Sequence, residues 1–196
     1  MEEDLGKERI LQITADGSHT LYLPDMDEHY HSVNGAIQES RHIFIEAGLK
    51  QIRKDEIRLL EIGFGTGLNA FLTLKEIMES EVKQNVIYYS VELYPLEMSV
   101  VENLNYGALA WEGHEDSFLD LHQAQWNMDV KITEQFTLHK IKGDSNSCEL
   151  PRSVDLIYFD AFAPEKQPEM WNPSIFDKLY GLANEDAIMM TYCAKG

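Results

Sequence analysis

A glycine-rich segment follows one of the apolar runs of the sequence. Residues 61–67 read Glu-Ile-Gly-Phe-Gly-Thr-Gly, so glycine stands at every second position of a predicted turn. Glycine permits a tight turn and lets the backbone approach a ligand closely. A dinucleotide-binding loop of the form G-x-G-x-x-G would need a further glycine at position 68, where Leu68 stands. The spacing therefore favours a different small ligand.

The pattern E-x-G-x-G-x-G resembles the loop of S-adenosylmethionine (SAM) methyltransferases. SAM carries an amino acid and a sulfonium, so a nearby carboxylate such as Glu61 can help to hold the loop and the cationic groups of the ligand. The alternative is a plain turn between a strand and a helix. The cofactor contacts predicted in this segment are Glu61, Gly63, Gly65, Thr66 and Gly67.

Two later strands are also predicted to end near a carboxylate. Glu92 ends the apolar run 86–92, where an acid suits the two ribose hydroxyls. Asp144 follows the run that begins at Phe136 and is placed to meet the adenine amino group. Each acid alone could instead cap a helix. Ligands of such sheets bind beyond the carboxyl ends of the strands, so the agreement of three strand ends favours a SAM site.

The segment 160–171 combines a strand-ending acid, two prolines and two aromatic rings. Its strand is expected beside the glycine-loop strand, where the transferred methyl group would be presented. Proline stiffens the segment by fixing φ, and flat apolar rings suit a planar base. We predict Asp160 as the catalytic residue and Phe162, Pro164 and Trp171 as substrate contacts. The alternative is that Asp160 caps the next turn and that both rings belong to the core.

The elements that must position these residues alternate between strand and helix. Strands are predicted over 10–14 and 19–23, joined by an Asp16-Gly17 turn, and over 57–63, 86–92, 136–144, 154–160 and 187–193. Helices are predicted over 33–47, 68–80, 96–104, 117–126 and 173–182. The first helix is amphipathic: its apolar residues Ala36, Ile37, Ile43, Phe44 and Ala47 fall at helical spacings, and Gly48 is expected to end it.

This order predicts an α/β fold, a Rossmann-like sheet with an N-terminal β-hairpin and helix. The resemblance of the glycine loop implies that the sheet is that of a SAM-dependent methyltransferase. Alternating strands and helices form a parallel sheet covered on both faces, with right-handed crossovers. We divide the chain into an N-terminal extension, residues 1–48, that packs on a Rossmann-like domain, residues 57–196. The charged segment 49–56 is the expected joint.

Composition restricts the classes of partner. The 196 residues carry 34 acidic and 16 basic side chains, a net charge of −18, which argues against strong non-specific binding to nucleic acid or anionic membranes. The 44% of hydrophobic residues is typical of a globular protein and excludes a disordered or fibrous one. Cys148 and Cys193 are too few for a disulfide framework, and the acidic N-terminus shows no secretory signal. A cytoplasmic location is therefore expected.

Three longer stretches make the resemblance specific. They are DGSHTLYLPDMDEHYHSVNGAIQESRHIFIEAGL, LLEIGFGTGLNAFLTL and DLIYFDAFAPEKQPEMW. Together they resemble the methyltransferase domain of the MnmC family, which acts in the biosynthesis of tRNA 5-methylaminomethyl-2-thiouridine. The resemblance implies a SAM-dependent enzyme that methylates the amino group of 5-aminomethyl-(2-thio)uridine at the wobble position of tRNA.

The resemblance also implies roles for residues. SAM binding maps onto Glu61, the three glycines of the loop, Glu92 and Asp144, and Asp160 maps next to the acceptor amine. Tyr30 and Glu39 match positions that close over the methionine end of SAM. The sequence leaves open whether Asp160 removes a proton from the amine or only orients it.

The same resemblance implies partners. The substrate is tRNA, for which this acidic chain alone is expected to have weak affinity. Two-domain members of the family continue into an FAD-dependent oxidase that removes the carboxymethyl group of the precursor. Nothing in this chain resembles that oxidase, so we expect no FAD here and a separate oxidase that acts before it.

The chain departs from the family pattern at its C-terminal end. Sheets of this type usually add a two-stranded hairpin beside the fifth strand, whereas this chain stops at Gly196, just after that strand. We therefore expect the last two strands to be absent from this chain, which would leave the strand over 187–193 at the sheet edge without a charge or proline to protect it. We expect that the natural protein continues beyond Gly196 or that a second copy covers this edge.

Other functions agree with parts of the pattern. The acidic composition favours a SAM-dependent methyltransferase or an aminopropyltransferase that acts on a small amine. A non-catalytic SAM-binding protein is a further alternative, although the presence of Glu61, Glu92 and Asp160 argues against it. Segments 28–31 and 114–116 contain histidine and acidic residues but match no metal-binding spacing, so no metal is expected.

Overall fold

The computed structural model describes residues 8–192, so Cys193 and the end of the strand predicted over 187–193 lie outside it. Its strands are β1 (Ile10–Ile13), β2 (His19–Leu23), β3 (Glu28–His29), β4 (Glu56–Ile62), β5 (Asn85–Glu92), β6 (Asp129–Thr133), β7 (Phe136–Lys142), β8 (Val154–Phe159) and β9 (Ala183–Met190). Its α-helices are α1 (Ala36–Ser40), α2 (Leu68–Glu79), α3 (Met98–Val101), α4 (Tyr106–Ala110), α5 (Glu115–Gln123) and α6 (Pro173–Leu182). Short 3₁₀ turns lie at Leu49–Gln51 and Pro168–Met170.

The central sheet has the strand order β6-β7-β5-β4-β8-β9. Neighbouring strands run parallel, except that β6 is antiparallel to β7. β4 and β8 are adjacent, as predicted, with Leu59 opposite Leu156. The glycine loop and Asp160 therefore lie at the same edge of the sheet. The predicted Rossmann-like α/β fold is confirmed.

The central strands β4 and β8 are buried on both faces. Every residue of β8 is buried, and β4 is buried from Leu59 to Ile62. Helices cover both faces of a parallel sheet, which explains why these strands read as nearly continuous apolar runs. The acid near the start of β8, Asp155, pairs with Lys54 and accepts a hydrogen bond from the N–H of Arg58.

The N-terminal residues form a small antiparallel sheet of their own. β1 and β2 form the predicted hairpin, with Ile13 opposite His19, and the short strand β3, which was not predicted, lies beside β2. The helix that follows packs on the central sheet, where the ring of Phe44 lies 4.9 Å from that of Tyr158. The N-terminal segment thus shares the hydrophobic core of the central sheet.

The first helix differs from the prediction in its start and in its helical period. It begins at Ala36 rather than Val33 and continues as π-helix over Arg41–Glu46. A π-helical turn is wider than an α-helical one and rotates the side chains that follow. Ile45 is consequently buried, whereas Ala47 is exposed. The constant α-helical period that the apolar spacing suggested is therefore interrupted by the π-helical turn.

The region between β5 and β7 contains a helix and a strand that were not predicted from the sequence. The helix predicted over 96–104 is limited to α3, and α4 and β6 were not predicted. α4 is a short helix whose Tyr106 is fully buried. Such short elements show little periodicity, so they are fixed by tertiary packing rather than by a pattern in the chain.

β9 begins at Ala183, earlier than predicted, and its pairing with β8 is irregular near Val154. Among residues 8–192, no strand pairs with its other edge. Met189 on this strand is 43% exposed.

Candidate active site

The loop between β4 and α2 has backbone angles that favour glycine. Gly63, Gly65 and Gly67 have φ values of +93°, +49° and +72°, in the left-handed region. A Cβ on Gly63 would lie 2.8 Å from the carbonyl oxygen of Asp160, and a Cβ on Gly67 would lie 2.6 Å from Nε2 of His122. The loop therefore needs glycine both for its backbone angles and for its close contact with neighbouring elements.

Replacing Gly63 with alanine is expected to destabilise the protein more than the same change at Gly113. The two glycines have similar φ values, +93° and +83°, but a Cβ at Gly113 would meet no atom within 4 Å. The contact with the carbonyl of Asp160 should add about 1 kcal/mol or more to the loss of unfolding free energy. Urea unfolding of both variants measures this difference, and equal losses would contradict the packing described.

Glu92 anchors the glycine loop from the end of β5. Its carboxylate oxygens accept hydrogen bonds from the N–H of Gly65 at 2.9 Å and from the N–H of Tyr94 at 2.7 Å. Glu92 lines the cleft in front of the loop. Each oxygen has a further lone pair, so the carboxylate offers two fixed acceptors that suit a pair of hydroxyl groups.

Asp144 lines the same cleft, and its side chain also holds its own turn. One carboxylate oxygen accepts from the backbone N–H of Asn146 at 2.8 Å and from the side-chain amide of Asn146 at 3.2 Å. This is the local turn that aspartate commonly stabilises. Asp144 is therefore at the predicted place, with part of its hydrogen-bonding capacity already in use.

The N-terminal segment contributes Tyr30 and His31 to the lining of the cleft. The ring of Tyr30 lies edge-on to Phe162, with 5.3 Å between ring centroids. Nε2 of His31 lies 2.6 Å from the hydroxyl of Thr66 in the glycine loop. Burial lowers the pKa of His31 to about 4, so this histidine is neutral at neutral pH. Tyr30 and Thr66 both line the cleft.

Asp160 lines two neighbouring pockets, the cleft and a second pocket beside it. Its Oδ2 accepts a hydrogen bond of 2.7 Å from the side-chain amide of Asn69. Burial raises the pKa of Asp160 to about 7; the hydrogen bond from Asn69 opposes this rise, and the charge of Glu39 adds to it. A carboxyl group with such a pKa can both accept and release a proton near neutral pH.

The second pocket is acidic and partly aromatic. Its lining includes Glu28, Glu39, Tyr30 and Phe44, and, within residues 8–192, no lysine or arginine. Burial raises the pKa of Glu39. Glu39 was predicted as a cofactor contact, but the structure places it in this pocket beside Asp160 and not in the cleft.

Glu61 lies beneath the loop and does not reach the cleft. Its side chain is 0% exposed, and its Oε2 accepts a hydrogen bond of 2.6 Å from the hydroxyl of Ser90. Burial raises the pKa of Glu61 to about 8; the bond from Ser90 opposes this rise, and the charge of Asp160 adds to it. The cationic groups of a ligand in the cleft have no access to this carboxyl, contrary to the direct contact predicted for Glu61.

Of the three predicted substrate contacts, one lines the cleft and two do not. Phe162 lines the cleft, whereas Pro164 and Trp171 do not. Nε1 of Trp171 donates a 2.7 Å hydrogen bond to the carbonyl of Phe162, and its ring packs edge-on to Phe159 at 5.1 Å. Trp171 thus fixes the loop that carries Phe162 and packs with the core, the alternative that the sequence left open.

Several residues that line the cleft were not predicted from the sequence. Asn69 is the most informative, because it lies in the first turn of α2 and contacts Asp160. The signal was present, since the helix after a glycine loop begins at the edge where the strands end. Other lining residues that were missed are Leu93, Tyr94, Ser145, Gln167 and Met170.

A buried lysine lies behind the glycine loop. Lys140 is 1% exposed, donates a hydrogen bond to the carbonyl of His122, and has its ammonium group 4.5 Å from the ring centroid of Trp126. Burial lowers its pKa to about 8. Nε2 of His122 in turn lies 3.0 Å from the carbonyl of Thr66, so this cluster supports the back of the loop.

Within residues 8–192, no group of three histidine, cysteine, aspartate or glutamate side chains is placed to hold a metal ion. No helix in this range is both long enough and apolar enough to cross a membrane.

Comparison with known proteins connects this site to a family. Residues 110–196 match a family model described as S-adenosyl-L-methionine-dependent methyltransferase. The bifunctional tRNA 5-methylaminomethyl-2-thiouridine biosynthesis protein MnmC of Leptospira borgpetersenii is 29% identical over 177 residues, which cover 85% of this chain and 27% of that protein. MnmC of Ralstonia nicotianae is 27% identical over 198 residues, covering 94% of this chain and 29% of that protein.

A solved structure agrees with these relatives. The crystal structure of MnmC2 from Aquifex aeolicus matches with a TM-score of 0.80 and 27% identity, over 96% of this chain and 61% of that one. The chain therefore spans 27–29% of the length of the two MnmC proteins and a larger part of MnmC2.

Proposed function

We propose that this MnmC-like, SAM-dependent methyltransferase methylates the amino group of 5-aminomethyl-(2-thio)uridine at the wobble position of tRNA, giving 5-methylaminomethyl-(2-thio)uridine. The observation that carries the proposal is the position of Asp160, which lines both the glycine-loop cleft and the acidic second pocket. The similarity to MnmC proteins over 85% of the chain supports this choice of substrate.

The residues of the cleft suit SAM. We assign the ribose hydroxyls to Glu92, whose oxygens are fixed by two backbone N–H groups. We assign the adenine amino group to Asp144 and the methionine end to the region of Tyr30, whose ring would lie 3.3 Å from a Cβ on Gly65. When bound, SAM supplies a methyl group carried on a sulfonium.

The second pocket suits an alkyl ammonium group. Such an amine has a pKa of about 10 in water, so it must lose a proton before its nitrogen can attack. Glu39 and Asp160 attract the cation, and Asp160 accepts the proton whose loss exposes the lone pair. Phe162, which lines the cleft, offers a flat surface to the uracil ring. As the nitrogen–carbon bond forms, the carbon–sulfur bond breaks.

The partners are proposed from the relatives. The names of the MnmC proteins describe bifunctional enzymes of tRNA modification. We propose tRNA as the macromolecular substrate, a cytoplasmic location, and an FAD-dependent oxidase that acts before the methylation. The net charge of −18 implies that this chain alone binds tRNA weakly.

A second candidate function is the methylation of a small amine, which the acidic second pocket and the net charge favour. Isotope-labelled SAM, offered with undermethylated bulk tRNA or with polyamines, distinguishes the two. We expect the label in tRNA. Label in polyamines alone would favour the second candidate and contradict the tRNA proposal.

Replacing Glu39 with glutamine is expected to weaken the binding of the acceptor but not of SAM. Loss of one partly buried charge opposite an ammonium group should cost roughly 1 kcal/mol, which raises the KM for the acceptor about fivefold. Steady-state kinetics and calorimetry with SAM measure the two effects. Glu46→Gln is the matched control, because Glu46 follows on the same helix but lines neither pocket. A loss of SAM affinity in Glu39→Gln would instead assign Glu39 to the cofactor.

A further inference from the structure

We propose that Glu61 is held as a neutral carboxylic acid, and that Glu61, Asn69 and Asp160 form one unit whose single negative charge resides on Asp160. Glu61 is thereby a positioning residue for Asp160 and not a ligand of the cofactor. This inference rests on the proposed function only for the role of Asp160 at the acceptor.

The surroundings of Glu61 do not suit an ionised carboxylate. Its side chain is fully enclosed, and its Oε2 accepts a hydrogen bond from Ser90. Its other oxygen, Oε1, is buried without a hydrogen-bond partner. The side chains of Ser90, Asn69 and Tyr88 lower the pKa of Glu61, but the effect of burial is the largest and raises it. A carboxylate removed from water needs a cation or several donors, whereas a neutral acid does not. The enclosure therefore favours the protonated form.

A protonated Glu61 also adds a donor where buried acceptors lack one. Oδ1 of Asn69 and the hydroxyl of Tyr88 are both buried without a partner. Both side chains lie close enough to Glu61 to lower its pKa, although less than burial raises it. The hydroxyl of a carboxylic acid is the additional donor that this cluster can gain by protonation.

Asn69 connects this acid to Asp160. Its amide nitrogen donates a 2.7 Å hydrogen bond to Oδ2 of Asp160, and the same side chain lies next to Glu61. When two carboxyl groups lie this close, the charge of one disfavours the ionisation of the other. The carboxyl group with better access to solvent therefore ionises first. Asp160 lines both the cleft and the second pocket, whereas Glu61 lines neither of them, so the charge belongs to Asp160.

The pKa shifts of the unit allow one of its two acids to be protonated. Burial raises the pKa of both Glu61 and Asp160. Access to the two pockets, which Asp160 has and Glu61 lacks, makes Asp160 the group that loses its proton first. The other titratable groups that face Glu61 are Tyr88 on β5 and Tyr158 on β8, and burial raises the pKa of both phenols. Neither tyrosine therefore changes charge near neutral pH.

The first test is infrared spectroscopy of the free protein at neutral pH. The wild-type protein is expected to show stronger C=O absorption of protonated carboxyl groups than Glu61→Gln, and the control Glu92→Gln should match the wild type. Asp160 contributes to this absorption in all three proteins, so the difference between them reports on Glu61. Glutamine keeps the size and the neutrality of the acid, so the affinity for SAM should stay within about twofold. Equal absorption in the wild type and Glu61→Gln, or a large loss of SAM affinity in Glu61→Gln, would overturn the proposal.

The pH profile of methyl transfer provides the second test. If Glu61 is neutral, Glu61→Gln leaves the acidic limb of the profile near pH 7, the pKa of Asp160. If Glu61 is ionised, Glu61→Gln removes a negative charge that repels ionised Asp160, so the acidic limb moves to lower pH. A shift of the limb in this direction would contradict the proposal. Asn69→Ala removes a donor that stabilises ionised Asp160, so it should move the limb to higher pH.

The two proposals can fail separately. The infrared band and the affinity for SAM are measured without any acceptor. If tRNA proves to be the wrong substrate, those two results still decide the protonation state of Glu61.

Discussion

Replacing Asp160 with asparagine is expected to lower turnover by about 10²–10⁴ while SAM binding changes by no more than a few fold. Asparagine keeps the shape of the side chain and an oxygen that accepts the hydrogen bond from Asn69, but it cannot accept a proton. Single-turnover rates with undermethylated tRNA and calorimetry with SAM measure the two quantities. Near-normal turnover in this variant would contradict the role of Asp160.

The pH dependence provides the control for this variant. Turnover of the wild-type protein should fall as pH drops below about 7, where Asp160 becomes protonated, and Asp160→Asn should lack this limb. Folded Asp160 binds its proton more tightly than the unfolded chain, so its ionisation opposes folding as pH rises from about 4 to about 7. Asp160→Asn should therefore unfold at no lower temperature than the wild type above pH 7, which separates a catalytic defect from a folding defect.

Replacing Glu92 with alanine is expected to weaken SAM binding by about 1–3 kcal/mol, or roughly 5- to 150-fold. The change removes two acceptors for the ribose and also the bonds that fix the N–H groups of Gly65 and Tyr94. Calorimetry with SAM measures the loss directly.

The matched control for this change is Glu102→Ala. Glu102 is an exposed acid that lies outside both pockets, so it tests the effect of removing one negative charge. Its affinity for SAM should equal that of the wild type. An unchanged affinity in Glu92→Ala would show that the ribose does not bind at the end of β5.

The strand ends were predictable because the sequence contains two signals for each of them, an apolar run and the type of residue that follows it. Apolar runs reveal buried parallel strands, and the residue after each run lies at the ligand-binding edge. Gly63, Glu92, Asp144 and Asp160 were all placed correctly at this edge. The division into residues 1–48 and 57–196 stays a prediction.

The remaining features depend on contacts that a linear pattern does not contain. Trp171 looks like a ligand-facing ring in the sequence, but its distance from the cleft is set by the packing of β8 against α6. Lys140 is buried because the carbonyl of His122 and aromatic rings surround its ammonium group. Glu61 has the type and spacing of a ligand contact, yet its strand position points it into the core.

Nucleoside analysis of tRNA after reaction tests the central claim most directly. Undermethylated tRNA is incubated with isotopically labelled SAM and this protein, digested to nucleosides, and analysed by mass spectrometry. We predict one labelled methyl group on the amino nitrogen of 5-aminomethyl-(2-thio)uridine from the wobble position, and no such product with Asp160→Asn. Unlabelled tRNA in the presence of a protein that binds SAM, or label on a different nucleoside, would contradict the proposed function.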